Sequence, residues 1–245
     1  MPGHLIEKRD QPDDRDMPFE RSLAVLPAKS SLRALCPPAY DQQQVKSCSA
    51  HAIAASILMI ARANGRSIDL PSRLFLYYNA RAREGDAATD NGASIRDALK
   101  AAADPGTCAE TLWPYDPAQV LVRPSDAAYG ACATKVQRYY RIERKLDELK
   151  ACIAEGFAFI FGVQICQSTV ESMKTTGKML MPGAGDAVLG NHAVLAVAFD
   201  DTQQTITALN SCGPSFGDNG YLVFPYAYFE DDKLTYDFWT VREIG

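Results

Sequence analysis

The chain has 245 residues, 47% hydrophobic and 22% charged, a balance ordinary for a folded protein with a substantial core. Its 25 basic and 30 acidic residues give a formal net charge of −5, which leaves no electrostatic footprint for nucleic acid. No apolar run approaches membrane-spanning length, the seven cysteines form no C-x-x-C pair, and there are three histidines. Neither a membrane span, a structural zinc site nor a cofactor is therefore expected.

Residues 1–35 are polar and weakly periodic, with a turn signal at Gln11-Pro12-Asp13-Asp14, and read as a surface-packed arm rather than a long helix. The charged residues before position 17 contain no apolar signal-peptide core. The expected compartment is a reducing cytoplasm, with export by another route left open. Pro37-Pro38 then forces an extended entry into a polar loop, residues 41–47.

Residues 48–63 are small or apolar around nearly the whole helical circumference, and Gly65 follows where a C-cap glycine belongs. The pattern predicts a buried core helix. Cys48 sits in its first turn, where the helix dipole and unpaired backbone N–H groups favour a thiolate.

Pro71-Ser72 predicts the start of a second helix reaching residue 83, and a polar loop covers 84–92. A third helix is predicted over 93–103, ended by Asp104-Pro105-Gly106. Leu112-Trp113-Pro114-Tyr115-Asp116-Pro117 reads as an ordered loop anchored by aromatic rings. The second half changes character: a helix near 144–155, an apolar strand over 157–165 and a long irregular excursion over 168–189. Strands follow near 192–199, 205–210, 221–224 and 238–242. A helical half followed by an antiparallel half implies an α+β fold with a cleft between the lobes.

A thiol nucleophile needs a base and a group to orient that base. His51 lies three residues after Cys48 on the same helical face, but the residues after it supply no orienting acceptor; its plainer reading is a helix histidine with one hydrogen bond. His192 opens a predicted strand. A hairpin centred on residue 201 would set it opposite or nearly opposite Asn210, within side-chain reach, and the Asn210 carbonyl could then fix the imidazole tautomer.

Five segments resemble, in order, the papain-like cysteine peptidases, and more narrowly a bacterial-type branch without the usual long helical prosegment. Pro37-Pro38-Ala39-Tyr40-Asp41-Gln42 through Ser47-Cys48-Ser49-Ala50 resembles the nucleophile segment. Ser72-Arg73-Leu74-Phe75 and Asn91-Gly92-Ala93-Ser94 resemble the next two helical segments. Gly190-Asn191-His192-Ala193 resembles the histidine strand, and Asn210-Ser211-Cys212-Gly213 with Gly217-Asp218-Asn219-Gly220-Tyr221 the asparagine segment. Cys48 and His192 are 144 positions apart, inside the roughly 130–150 residues expected for this family.

The resemblance implies a two-lobed fold: an arm over 1–35, a helical lobe over 36–125 and an antiparallel, barrel-like β lobe over 126–245, together one catalytic domain. It implies peptide or protein substrates and peptide-bond hydrolysis through a thioester acyl-enzyme, with Cys48 as nucleophile, His192 as base and Asn210 as orienter. Gln42 matches the oxyanion-hole glutamine, and Gly92, Ala93 and Asn191 match positions that touch substrate. The alternatives are an acyl transferase on the same fold, or a catalytically impaired peptide-binding protein. Three departures stand out: Gln43 and Lys46 replace glycines beside the nucleophile, and Cys212 replaces a tryptophan that shields the Asn–His bond. Val45 stands where the family carries a disulfide-forming cysteine, which fits a reducing compartment.

Overall fold

The computed structural model describes residues 8–245; the first seven residues of the expected arm, His4 among them, lie outside the described residues. Helix α1 spans Cys48–Ala63, and every residue from Cys48 to Ala61 is buried, as an all-round apolar sequence requires. Helix α2 spans Arg73–Arg83 and is capped by Ser72, whose side chain accepts from the Phe75 amide. Helix α3 spans Ile95–Ala103, two residues shorter at its start than expected, because Ser94 is its cap and accepts from the Asp97 amide. Gly92 and Ala93 thereby stay outside the helix. A short helix α4, Asp126–Gly130, completes this half.

Strand β1 (Lys29–Ser31) comes before the helices; the other six are β2 (Val136–Arg141), β3 (Phe159–Cys166), β4 (Val188–Asp200), β5 (Thr205–Leu209), β6 (Tyr221–Pro225) and β7 (Thr235–Ile244). They form one sheet in the order β2-β7-β3-β4-β5-β6, with β1 pairing the far end of β4, and all named strand pairs are antiparallel. The expected irregular excursion is partly helical: a 3-10 turn at Gln167–Thr169 runs into α6, Val170–Thr176. Only Met173 of α6 is buried, so no apolar stripe marks it in the sequence. Helices α5 (Leu146–Ala154) and α7 (Ala227–Glu230) lie in the same half of the chain as the sheet.

Residues 193–199 of β4 are buried on both faces. Ala193, Leu195 and Val197 join a core with α1, α2 and α3, while Val194 and Ala196 join a second core with Phe159, Phe161, Phe224 and Phe238. The unbroken apolar run of this strand follows from its having a core on each side.

The arm lies on the surface, with Phe19 the one buried residue among residues 8–35, and polar contacts tie it down. The Arg96 amide, in the first turn of α3, donates to Asp10 Oδ1 at 3.1 Å, and the Trp239 indole of β7 donates to Asp10 Oδ2 at 2.7 Å. The Asp10 amide donates to Asp237 Oδ2 at 2.7 Å. Arg141 pairs with Asp10, Asp16 and Asp237, and Arg96 pairs with Asp16. The arm thus ties α3 of the helical half to β2 and β7 of the sheet. Among the described residues, no helix is long and apolar enough to cross a membrane.

Candidate active site

The cleft chemistry gathers where the start of α1 meets β4 and the segment after β5. Helix α1 packs along β4, which brings the element carrying Cys48 against the element carrying His192. Cys48 is the first residue of α1 and is buried.

His192 and Asn210 are joined, but not by the expected register. The hairpin pairs Asp200 with Thr205, and a bulge at Val197 shifts the pairing to Leu195 with Leu209. Continued, that register would carry His192 opposite residue 212. The expected centre at 201 is wrong because the tip spans residues 201–204, with Gln204 in a left-handed conformation at φ 53°. Asn210 instead lies just past the end of β5, where its amide donates to Gly220 O at 2.9 Å, and its side chain reaches back. Its Oδ1 lies 2.7 Å from His192 Nε2 and also accepts from the Ser211 amide at 2.8 Å. A carboxamide oxygen only accepts, so Nε2 carries the proton and Nδ1 is the ring nitrogen without one. Nδ1 is buried and makes no hydrogen bond among the described residues. Burial pushes the His192 pKa below its ordinary value, and the Asn210 bond works in the opposite direction.

Gln42 is buried and held from two sides. Its Oε1 accepts from Ser211 Oγ at 2.6 Å, and its Nε2 donates to Val45 O at 2.9 Å, leaving the second amide N–H uncommitted to that carbonyl. Backbone bonds stitch this loop to the asparagine segment: Gln42 N to Ser211 O and Gly213 N to Tyr40 O, both 2.8 Å. Gln43 has a φ of 52°, in the left-handed region, which is the conformational reason a glycine suits that position.

The Lys46 amide donates to Asp90 Oδ1 at 3.2 Å. Asp90 accepts from Tyr77 Oη at 2.5 Å, and Tyr77 Oη in turn accepts from the Gly92 amide at 3.0 Å. One chain of bonds therefore sets Gly92, at φ +78°, against the residue two before Cys48. Ala93 O accepts from Ser49 Oγ at 3.2 Å, which fixes the next residue to α1. Asn191 is half-buried on β4, opposite Gln164 of β3. Sequence reasoning misses Tyr77, Asp90 and Ser211, since a tyrosine in an apolar helix and polar residues in loops carry no signal of their partners.

His51 is not placed as the base. Its Nδ1 lies 2.9 Å from Ser47 O and 3.2 Å from Ser47 Oγ; the carbonyl only accepts, so Nδ1 carries the proton. Burial, with Arg73 nearby, pushes its pKa down to about 3, which keeps it neutral. All seven cysteines are thiols. Burial pushes the Cys212 pKa up to about 11, opposed by a hydrogen bond from Asn210, so it is a neutral neighbour of the pair.

An α+β two-lobed fold with a helix-borne cysteine and a strand-borne histidine bound to an asparagine defines a papain-like site. No family model matches the chain. It is similar to xylellain, a cysteine protease from Xylella fastidiosa: 35% identity, 98% of this chain and 96% of that one covered, TM-score 0.91. It is also 35% identical over 215 residues to an uncharacterized peptidase C1-like protein of Acanthamoeba polyphaga mimivirus, covering 83% of this chain and 69% of that protein. Digestive procathepsin L 3 of Tenebrio molitor, at 17% identity and a TM-score of 0.73 over 96% of this chain and 76% of that one, shares the fold. The chain belongs to the papain-like cysteine peptidases of the C1 type.

Proposed function

We propose that this cysteine peptidase cleaves peptide or protein substrates through a thioester on Cys48, with His192, Asn210 and Gln42 as its machinery. The observation that carries the reading is the 2.7 Å bond from His192 Nε2 to Asn210, which commits one ring nitrogen and leaves Nδ1 without a hydrogen bond among the described residues. Cys48 attacks the scissile carbonyl as thiolate while His192 holds the proton as imidazolium. His192 then protonates the departing amine, and in the second half-reaction takes a proton from the water that opens the thioester. Asn210 holds the ring in one orientation throughout.

The developing oxyanion is met by the remaining amide N–H of Gln42 and by the Cys48 backbone N–H at the start of α1. Losing one such donor costs about 2.7–4 kcal/mol in comparable hydrolases. Gly92, Ala93 and Asn191 border the substrate. Neither the transferase nor the impaired binding protein is favoured, since the similar proteins are named protease or peptidase.

The test is covalent. Treated with a peptidyl chloromethyl ketone at neutral pH, the protein should gain one adduct, located on Cys48 by mass spectrometry and absent from Cys48→Ser. A fluorogenic peptide should be turned over by the unmodified chain only. Absence of a Cys48 adduct would overturn the assignment.

A further inference from the structure

The loop between Gln42 and Cys48 has no helix or strand of its own to hold it, yet it carries both oxyanion donors, one at each end. Five residues lie between one donor and the other. A single atom spans them. Tyr115 Oη donates to Gln42 O at 2.8 Å and lies 2.8 Å from Ser47 Oγ. Since the Tyr115 proton goes to the carbonyl, Ser47 is the donor in the second bond. Ser47 precedes Cys48 directly, so the same phenol oxygen sets the position of Gln42 and of the residue before the nucleophile.

The phenol is itself fixed. The Tyr115 amide donates to Glu110 Oε1 at 3.0 Å, and Glu110 pairs with Arg73 at 2.5 Å. The Arg73 guanidinium sits 4.8 Å from the Tyr115 ring centre, in cation–π range. The His51 ring meets the Tyr115 ring edge-on at a centroid distance of 4.8 Å. His51 also bonds Ser47 O, so the ring that does not act as base braces the same loop from the helix side. Ser47 makes no side-chain cap bond to α1, because its hydroxyl is spent on Tyr115 and His51. Ser211 holds the Gln42 side chain from the sheet side, and the Gln42 carbonyl that Tyr115 binds also accepts from the Val45 amide at 3.2 Å within the loop.

We propose that Tyr115 is a positioning residue of the oxyanion hole: its hydroxyl clamps Gln42 and Ser47 together so that the two donors converge on one point. The assignment rests on the peptidase reading above. Tyr115 touches neither the substrate nor the reacting atoms. Its loss should act on the step in which negative charge develops on oxygen, while substrate binding and the thiol itself stay as they are.

The variant is Tyr115→Phe in the full chain, which keeps the ring and its packing and removes one oxygen. With a fluorogenic peptide, kcat should fall about tenfold with KM within about twofold, short of the hundredfold or more that follows loss of a donor. Affinity for a peptide aldehyde should fall by a similar factor: Cys48 sulfur adds to the aldehyde carbon, the thiol proton ends on the new hydroxyl or on His192, and the former carbonyl oxygen enters the hole. The rate of Cys48 alkylation by iodoacetamide, which creates no oxyanion, should be unchanged. Unchanged kcat and aldehyde affinity would overturn the proposal. So would a parallel loss of kcat, alkylation rate and thermal stability, which would mark Tyr115 as a packing residue. Failure of the unsubstituted chain to turn over peptide or to be labelled at Cys48 is a separate result, and it would overturn the peptidase reading first.

Discussion

His192 Nε2 lies 2.7 Å from Asn210 Oδ1 although the two residues do not face each other across β4 and β5. The contact is made by a side chain leaving the end of a strand, and a second bond from the Ser211 amide keeps the carboxamide oxygen in place. Orientation of the imidazole therefore rests on one residue. Asn210→Ala should lower kcat by about ten- to a hundredfold with little change in KM, from the loss of a hydrogen bond to a group that becomes charged. Steady-state kinetics on a fluorogenic peptide decide it, and a kcat within twofold of the unsubstituted enzyme would exclude Asn210 as orienter.

Cys212, hydrogen-bonded to the Asn210 side chain, is a small neutral thiol where the family resemblance implies an indole. Cys212→Trp should exclude more water from the Asn–His bond and raise kcat, by about two- to fivefold, since a hydrogen bond strengthens as its surroundings dry. An equal or lower rate in a variant of unchanged melting temperature would show that shielding is not limiting.

Gly162 of β3 lies opposite both Ala193 and Tyr236, and a Cβ added there would overlap the Tyr236 ring. Gly162→Ala should cost about 1–3 kcal/mol, as overpacking of a filled site does. The expected fall in melting temperature is about 2–10 °C for a chain of this size. A melting curve superimposable on that of the unsubstituted chain would contradict the close approach.

Acid should tighten the seat of the arm. Burial, and next the Asp237 carboxylate, push the Asp10 pKa from its ordinary 3.8 up to about 6, with the bonds from Trp239 and Arg96 opposing. Asp237 is raised as well, chiefly by burial. A carboxyl whose pKa rises on folding binds its proton better in the folded state, so stability falls as pH rises from 4 through 6 and the cost is fully present above that. Asp13, Arg15, Asp16, Arg96, Lys100 and Arg141 are further charges around this part of the arm. The melting temperature should climb between pH 7 and pH 5, and Asp10→Asn should flatten that climb. A profile equally steep in the variant would assign the dependence to other groups.

The papain-like α+β architecture is legible because it depends on strong local patterns. A sixteen-residue segment apolar on all sides can only be a core helix, and the unbroken apolar run of β4 can only lie between two cores. β2 is illegible for the opposite reason: Val136-Gln137-Arg138-Tyr139-Tyr140-Arg141 is mostly half-exposed on the sheet edge and carries no clean alternation. At the site, Cys48 and His192 announce themselves by residue type and context. Tyr115 does not, since a tyrosine in a Trp-Pro-Tyr loop shows that the loop is anchored but not that its hydroxyl reaches Gln42, 73 positions earlier. The expected hairpin register fails at its tip, where residues 201–204 form the turn and Asp200 pairs with Thr205, because the length of a turn depends on backbone detail that side-chain identity does not encode there.

The Trp239 side chain gives the arm an optical consequence. Its indole N–H is bonded to Asp10, and the guanidinium groups of Arg96 and Arg141 sit 5.6 and 5.5 Å from the ring centre. The chain contains one other tryptophan, Trp113. With Trp113 replaced by phenylalanine, emission comes from one buried indole whose colour and intensity register whether Asp10 is in its seat. The molecule thus carries a built-in fluorophore at the junction of arm, helix and sheet, and lifting of the arm can be followed in real time without a dye.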